Sequence, residues 1–204
     1  MTGELTYWNN DAANYDARAK KSHKAYQTIL TFIKNEISTE MDILDMGTGT
    51  GEIPIGIFSN VKSINAIDFS HEMIRIARKK ARKKGIINIS FLVEDGNQLN
   101  FEDNSFDVIL IINLLHIVPE PENIINEAKR LIKKEGKIIV VTFLNNENLK
   151  SRLISYIMKS KGHPITTPFT TNTICEFITK HSLKIITRKN IKNIMPIMYL
   201  TCSN

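Results

Sequence analysis

From position 41 onward, short β-branched runs alternate with longer amphipathic stretches. Runs at 42–46, 64–68, 89–93, 108–112 and 137–141 have the length and residue types of buried strands. Between them, 50–59, 71–84 and 121–133 repeat apolar residues at helical spacing, and each is long enough for a single crossover. Strand, helix, strand repetition predicts a parallel sheet with helices on both faces. Ser70 is placed to cap the helix at 71–84 and Gly85 to end it. Before this core, 22–36 reads as an amphipathic helix preceded by a polar, aromatic leader with Tyr7, Trp8 and Tyr15. After it come a helix at 147–159, a loop at 161–170 with Gly162, Pro164 and Pro168, a helix at 172–180, and strand-like runs at 183–188 and 197–202.

The 204 residues, 42% hydrophobic and 24% charged, suit one domain with a full core. Its expected parts are an N-terminal lid and helix at 1–36, a core at 41–143 and a substrate-side region with the closing strands at 144–204. The longest apolar run, 108–118, is broken by Asn113 and His116 and falls short of the roughly 20 residues a membrane-spanning helix needs. The first ten residues lack a secretion signal, so a cytoplasmic location is expected. Cys175 and Cys202 form no CxxC pair and have no histidine at metal-ligand spacing, so neither a disulfide framework nor a metal site is expected. The net charge of +6 is concentrated at 75–84, where it reads as the solvated face of a helix.

The chemistry begins at Ile43-Leu44-Asp45-Met46-Gly47-Thr48-Gly49-Thr50-Gly51, a buried strand running into three alternate glycines and a helix. Such glycines permit positive φ and let a ligand approach the backbone. A phosphate-gripping P-loop would end in Gly-Lys-Ser/Thr, whereas Gly51 precedes Glu52 and Ile53. A GxGxxG dinucleotide fingerprint would place its third glycine at 52, where pyrophosphate would meet the carboxylate of Glu52. The turn suits a ligand without phosphate, and Asp45 offers an anion to an amine-bearing group. Asp68, 21 residues after Gly47 and ending the second strand, can accept both hydroxyls of a ribose. Glu94-Asp95-Gly96-Asn97, ending the third strand, offers a polar edge to an adenine amino group, with Phe69 and Leu99 as apolar cover.

Together with Ala66-Ile67-Asp68-Phe69-Ser70-His71-Glu72-Met73, the segment from Glu94 to Asp107, and Leu131-Ile132-Lys133-Lys134-Glu135-Gly136-Lys137, these motifs occur in the order found in class I S-adenosylmethionine-dependent methyltransferases. The chain resembles that family, in particular the group that includes ubiquinone and menaquinone biosynthesis methyltransferases. The resemblance covers about 41–143. It implies a Rossmann-like, doubly wound, seven-stranded, mostly parallel sheet with a C-terminal antiparallel hairpin. It also implies that Gly47, Thr48, Gly49 and Gly51 border the methionine part of the cofactor, with Asp45 near its amino group and Asn113 near its methionine portion. Asp68 and Phe69 would meet the ribose and adenine, and Asp95, Gly96 and Asn97 would border adenine. Met73 would touch the cofactor or, at helical spacing, pack in the core.

Methyl transfer from a sulfonium is an in-line displacement that mainly needs its reactants aligned, so a dedicated base is optional. His116, near the end of the fourth strand, is the leading candidate for one; the plain alternative is a structural histidine. His163, in the loop at 161–170, is second. Tyr7, Trp8 and Tyr15 form an aromatic lid or simply anchor the leader. The Asn/Asp-Pro-Pro-aromatic turn of base-amine methylation is replaced by Asn113-Leu114-Leu115-His116, and no cysteine follows a proline. A small-molecule acceptor is therefore expected over nucleic acid, with the chain a monomer or homodimer. The alternatives are a nucleic-acid methyltransferase using the basic helix and a non-catalytic S-adenosylmethionine-binding sensor or regulator. A nicotinamide dehydrogenase ranks last because of Glu52.

Overall fold

The computed structural model describes residues 2–19 and 22–204. In chain order the elements are α1 (Thr2–Ala19), α2 (His23–Lys34), β1 (Asp42–Met46), α3 (Glu52–Ile57) with a 3₁₀ turn at Phe58–Asn60, β2 (Ser63–Asp68), α4 (His71–Lys83), β3 (Ile89–Val93), β4 (Phe106–Ile112), α5 (Pro121–Leu131), β5 (Ile132–Phe143), α6 (Leu149–Ser160), α7 (Thr171–Lys180), β6 (Lys184–Ile191) and β7 (Ile197–Ser203). The strands form one sheet in the order β3-β2-β1-β4-β5-β7-β6. The pairs among β1 to β5 are parallel, while β7 runs antiparallel to both β5 and β6.

Alternate side chains of each strand enter opposite layers, as the two-residue strand period requires. Leu44, Met46, Ile109, Ile111, Ile138 and Val140 pack with α5 and α7 through Ile124, Ile125, Ala128, Ile174 and Ile178. Their neighbours Ile43, Val108, Leu110, Ile139 and Val141 pack with α2, α3 and α4 through Ile29, Ile33, Ile53, Ile74 and Ala77. Both faces are covered, which explains why the central strands read as continuous apolar runs.

Helix ends follow the expected chemistry. The Ser70 hydroxyl accepts from Met73 N at 3.2 Å, and Gly85, at φ 67°, follows the C-terminus of α4. Asn148 with Ser151 and Thr170 with Thr173 form reciprocal caps on α6 and α7. The expected helix at 50–59 is shorter, because Gly49 and Gly51 hold left-handed backbone up to its first residue. The fifth strand starts earlier than 137, at Ile132, which pairs with Phe106 across a register shift.

The larger correction concerns the leader, which is the 18-residue helix α1. Leu5, Trp8, Ala12 and Tyr15 recur at helical spacing, a stripe diluted by the polar residues around it. Among the described residues, no helix is long and apolar enough to cross a membrane, and no group of three or more His, Cys, Asp or Glu is placed to hold a metal ion. Cys175 and Cys202 are both free thiols.

Candidate active site

The glycine turn carries the chain from β1 into α3 through three left-handed residues, Gly47, Gly49 and Gly51, with φ of 75°, 55° and 79°. Gly47 N and Thr48 N both donate to Ile67 O, at 2.9 and 2.8 Å, which ties the turn to the end of β2. A Cβ on Gly47 would stand 2.8 Å from Leu114 Cδ1, and one on Gly49 would face the Tyr15 ring at 3.7 Å. At Gly51 the neighbours are Phe91 and Ala77, at 3.0 and 3.1 Å, so this third glycine permits helix-to-sheet packing.

Asp68 ends β2 with one carboxylate oxygen accepting from Gly49 N at 2.8 Å and the other from Ser70 N at 2.9 Å. Burial raises its pKa to about 6, against the pull of those two N–H groups. Asp45, behind the turn, is buried and its pKa is raised to about 7, by desolvation first and by the Asp68 charge as well. Asp45 Oδ2, Thr48 Oγ1 and Asn113 Oδ1 are buried and make no close hydrogen bond, although the Thr48 hydroxyl stands near enough to Asp45 to oppose the rise in its pKa, and the Asn113 side chain near enough to Tyr26 to do the same for that phenol. Asn113 holds φ 55°, unusual for a residue with a side chain, and its N–H donates to Val141 O at 2.7 Å. Oxygen atoms left unsatisfied at the carboxyl ends of β1 and β4 form a place that a cationic donor would complete.

Two cavities open along this edge of the sheet, the position a ligand takes in an open α/β fold. One, of about 760 Å³, is lined by Asp68, Phe69, Glu94, Asp95, Gly96 and Asn97, with Val118, Pro119 and Ile124 opposite. The other, of about 340 Å³, is lined by Gly49, Met73, Ile112, Asn113, His116, Phe143, Asn145, Ile154, Met158, His163, Ile165 and Met195, among others. They share Trp8, Gly47, Asp68, Phe69, Leu114 and Ile117, so they are lobes of one cleft meeting at the glycine turn.

The smaller lobe is apolar apart from a few groups. His116 is buried, its Nδ1 3.1 Å from Thr142 Oγ1, its ring edge-on to Phe143. Desolvation lowers its pKa to about 3, with a further push from His163, and its Nε2 has no hydrogen-bond partner among the described residues. His163 is lowered to about 4, chiefly by burial and then by Arg18. Its ring lies edge-on to Trp8 at 5.5 Å and near Tyr7 at 5.6 Å, and Trp8 in turn meets Tyr7 and Tyr15. The three lid candidates of the leader and His163, about 150 residues further along the chain, thus form one ring cluster. Tyr15, raised well above the ordinary phenol value by the neighbouring Tyr26 and by burial, stays protonated.

Polar contacts fasten α1 over the cleft. Asn9 Oδ1 accepts from Ser70 Oγ at 2.7 Å, and Asp16 accepts from Thr50 Oγ1 at 2.5 Å and from Lys80 Nζ at 3.1 Å. Lys80 also pairs with Glu52, Arg75 with Glu72, and Arg78 donates to Phe91 O at 2.6 Å, so part of the basic run at 75–84 is occupied in structural contacts.

The structure brings Trp8, Tyr15, Gly47, Gly49, Asp68, Phe69, Met73, Asp95, Gly96, Asn97, Asn113, His116 and His163 to the cleft walls. Asp45, Thr48 and Gly51 lie behind the turn, and Tyr7 touches the lobe only through His163 and Trp8. Leu99 is in the core against Met46, Ile67 and Ile124, and its N–H donates to Glu127 at 2.8 Å; it gives the larger lobe no cover. Met73 faces the smaller lobe beside Trp8 and Ala12, away from the acidic edge at 94–97. Sequence reasoning passed over Tyr26, Asn145, Ile154, Met158 and Met195, which carry no motif and meet only through the fold.

The profile of the family described as "Methyltransferase domain" matches residues 37–195. Among curated proteins, the chain is similar to a phosphatidylethanolamine N-methyltransferase of Cereibacter sphaeroides, with 35% identity over 100 residues, 48% of this chain and 49% of that protein. It is also similar to a ubiquinone/menaquinone biosynthesis C-methyltransferase of Rickettsia bellii, with 32% identity over 119 residues, 55% of this chain and 48% of the relative. The chain spans about half the length of these curated relatives. A solved structure of a SAM-dependent methyltransferase from Methanosarcina mazei superposes with a TM-score of 0.71 at 24% identity, covering 84% of this chain and 96% of that one. At that identity the likeness speaks for the fold.

Proposed function

The chain belongs to the methyltransferase-domain family, and from that premise we propose that it transfers the methyl group of S-adenosylmethionine to a small, largely apolar acceptor bound in the lobe around His116 and His163. The observation that carries this reading is the single cleft whose two lobes, one edged by Asp68, Glu94, Asp95 and Asn97 and the other walled by Ile112, Ile154, Met158 and Ile165, meet at Gly47, Asp68 and Phe69. When bound, the cofactor supplies a methyl group on a sulfonium sulfur, already poised to leave. The chain's own tasks are to hold, align and dehydrate.

The residues fit the cofactor. The unpartnered oxygens of Asp45 and Asn113 suit its ammonium group, Asn113 directly and Asp45 from behind the turn, where a water can bridge. Gly47 and Gly49 leave room for its methionine chain. Each Asp68 oxygen accepts one backbone N–H and keeps a lone pair for a ribose hydroxyl. Asp95 Oδ1 already accepts from Asn97 N and Nδ2, which fixes the loop with Gly96 against the adenine.

On the acceptor side, Trp8, Tyr15 and His163 exclude water. His116 is uncharged above about pH 4, and its Nε2 is free for the acceptor's proton. A base so depressed takes a proton only from a strongly acidic group. His116 therefore serves as a neutral hydrogen-bonding group that orients the acceptor, and alignment rather than proton removal carries the transfer.

The test is calorimetric titration with S-adenosylmethionine, S-adenosylhomocysteine and NAD in parallel, with Asp68→Ala as control. Binding of the first two, weakened at least tenfold by Asp68→Ala in a folded protein, is the expected result. Binding of NAD alone, or of none by the folded chain, refutes the proposal.

A further inference from the structure

Helix α6 has two apolar faces. Its inner face places Ile154 and Met158 in the wall of the acceptor lobe. Its outer face carries Leu149, Leu153, Tyr156 and Ile157, spaced i, i+4, i+7 and i+8 in one stripe and exposed by 82%, 60%, 74% and 44%. Ile194, in the turn between β6 and β7, is 63% exposed and lines the same lobe. Among the described residues the four stripe residues are half of the eight exposed large apolar side chains, and all four share one helix face.

Cations border the stripe. Lys150 lies on one side, Arg152 and Lys159 on the other, and Lys161 follows the helix; α6 contains no acid. Among the described residues none of the four makes an ion pair. Glu147, the nearest acid in the chain, accepts from Thr171 N at 2.6 Å.

We propose that α6 docks on an anionic bilayer surface, its stripe among the acyl chains and its four cations at the headgroups. An apolar face with a basic border is the pattern of a helix lying in a membrane interface. A two-fold contact with a second copy would set these cations against the identical cations of its mate. Because the inner face of the helix walls the acceptor lobe, docking holds that lobe beside the bilayer, from which an apolar acceptor enters; this consequence alone rests on the methyl-transfer reading.

The experiment is flotation of the full chain with vesicles of phosphatidylcholine and phosphatidylglycerol at equal parts, and with phosphatidylcholine alone. Two double variants, Leu153→Glu with Tyr156→Glu and Lys150→Glu with Arg152→Glu, are tested beside the wild type after thermal melts establish their folding. The expected result is binding to the anionic vesicles that falls at least tenfold with either variant and with 0.5 M salt. No binding by the folded wild type, or binding that survives both variants, overturns the proposal. So does a dimer in sedimentation equilibrium that the Leu153→Glu, Tyr156→Glu variant dissolves, since a second copy then occupies the stripe. S-adenosylhomocysteine titration of the same preparation separates the two readings: lost cofactor binding with intact vesicle binding leaves docking standing, and the reverse leaves methyl transfer standing.

Discussion

Replacing Asp45 by asparagine is predicted to stabilise the cofactor-free chain and to weaken cofactor binding. The Asp45 carboxylate is 1% exposed, one of its oxygens has no partner, and its pKa rises from 3.8 to about 7. A pKa raised in the folded state means that the native chain holds the proton more tightly than the unfolded one. The unfolded chain therefore ionises first as pH rises, and stability is lost progressively between about pH 4 and pH 7. At about 1.4 kcal/mol per unit, the penalty reaches about 4 kcal/mol at pH 8 and remains under half of that at pH 5. Asparagine keeps the shape and removes the charge, but its own unpartnered N–H group costs about 1–2 kcal/mol. The net gain at pH 8 is about 2 kcal/mol, or roughly 5 °C in melting temperature for a domain of this size. The assay is thermal unfolding of both proteins at pH 5 and pH 8, without cofactor, followed by titration with S-adenosylhomocysteine. The gain should vanish or reverse at pH 5, and affinity should fall about 10- to 100-fold through the lost charge on the ammonium group. An asparagine variant less stable than wild type at pH 8, with cofactor affinity unchanged, would refute the reasoning.

Two further outcomes follow from the same geometry. Gly47→Ala combines a left-handed backbone at φ 75° with a Cβ 2.8 Å from Leu114, so it should lower stability by about 2–3 kcal/mol in thermal unfolding. Adding Leu114→Ala should relieve the crowding and leave the backbone cost, so a double variant no better than additive would count against this account. Cofactor affinity should be level above about pH 7.5 and fall by up to tenfold per unit below pH 7 as Asp45 gains its proton, then more steeply below pH 6 as Asp68 follows. A dissociation constant for S-adenosylhomocysteine that stays level from pH 8 to pH 5 would contradict both assignments.

What the sequence disclosed is what is local. The turn from Asp45 to Gly51, the cap at Ser70, and strands such as 108–112 each depend on neighbours within a few residues, so pattern and chemistry locate them. The resemblance supplied the closing hairpin for the same reason, through its order of motifs. The acceptor lobe is assembled from α1, α2, the ends of β4 and β5, α6 and the turn at 192–195, and nothing in Ile154, Met158 or Met195 announces a partner more than 30 residues away. The aromatic residues of α1 read as a lid without the helix that aligns them, because Asn, Asp and Tyr blur its apolar stripe. Leu99 differs from expectation because adjacency to the 94–97 loop carries no direction, and the chain turns its side chain into the core.

Charge decides between the nucleoside ligands more firmly than the glycine pattern does. Two buried carboxylates flank the glycine turn, Asp68 where the lobes meet and Asp45 behind the turn, and the hydrogen bonds Asp68 accepts come from neutral backbone groups. The cations at or near the cleft have other partners: Arg18, in the wall of the smaller lobe, pairs with Asp11, and Lys80 pairs with Asp16 and Glu52. Among the described residues neither Asp45 nor Asp68 has a cation paired with it, an arrangement that costs stability until a ligand supplies the positive charge. A pyrophosphate would add two negative charges to that arrangement. A sulfonium amino acid joined to a nucleoside brings an ammonium to the Asp45 and Asn113 oxygens and hydroxyls to Asp68, so the ligand that the turn admits sterically is also the one that the uncompensated carboxylates favour.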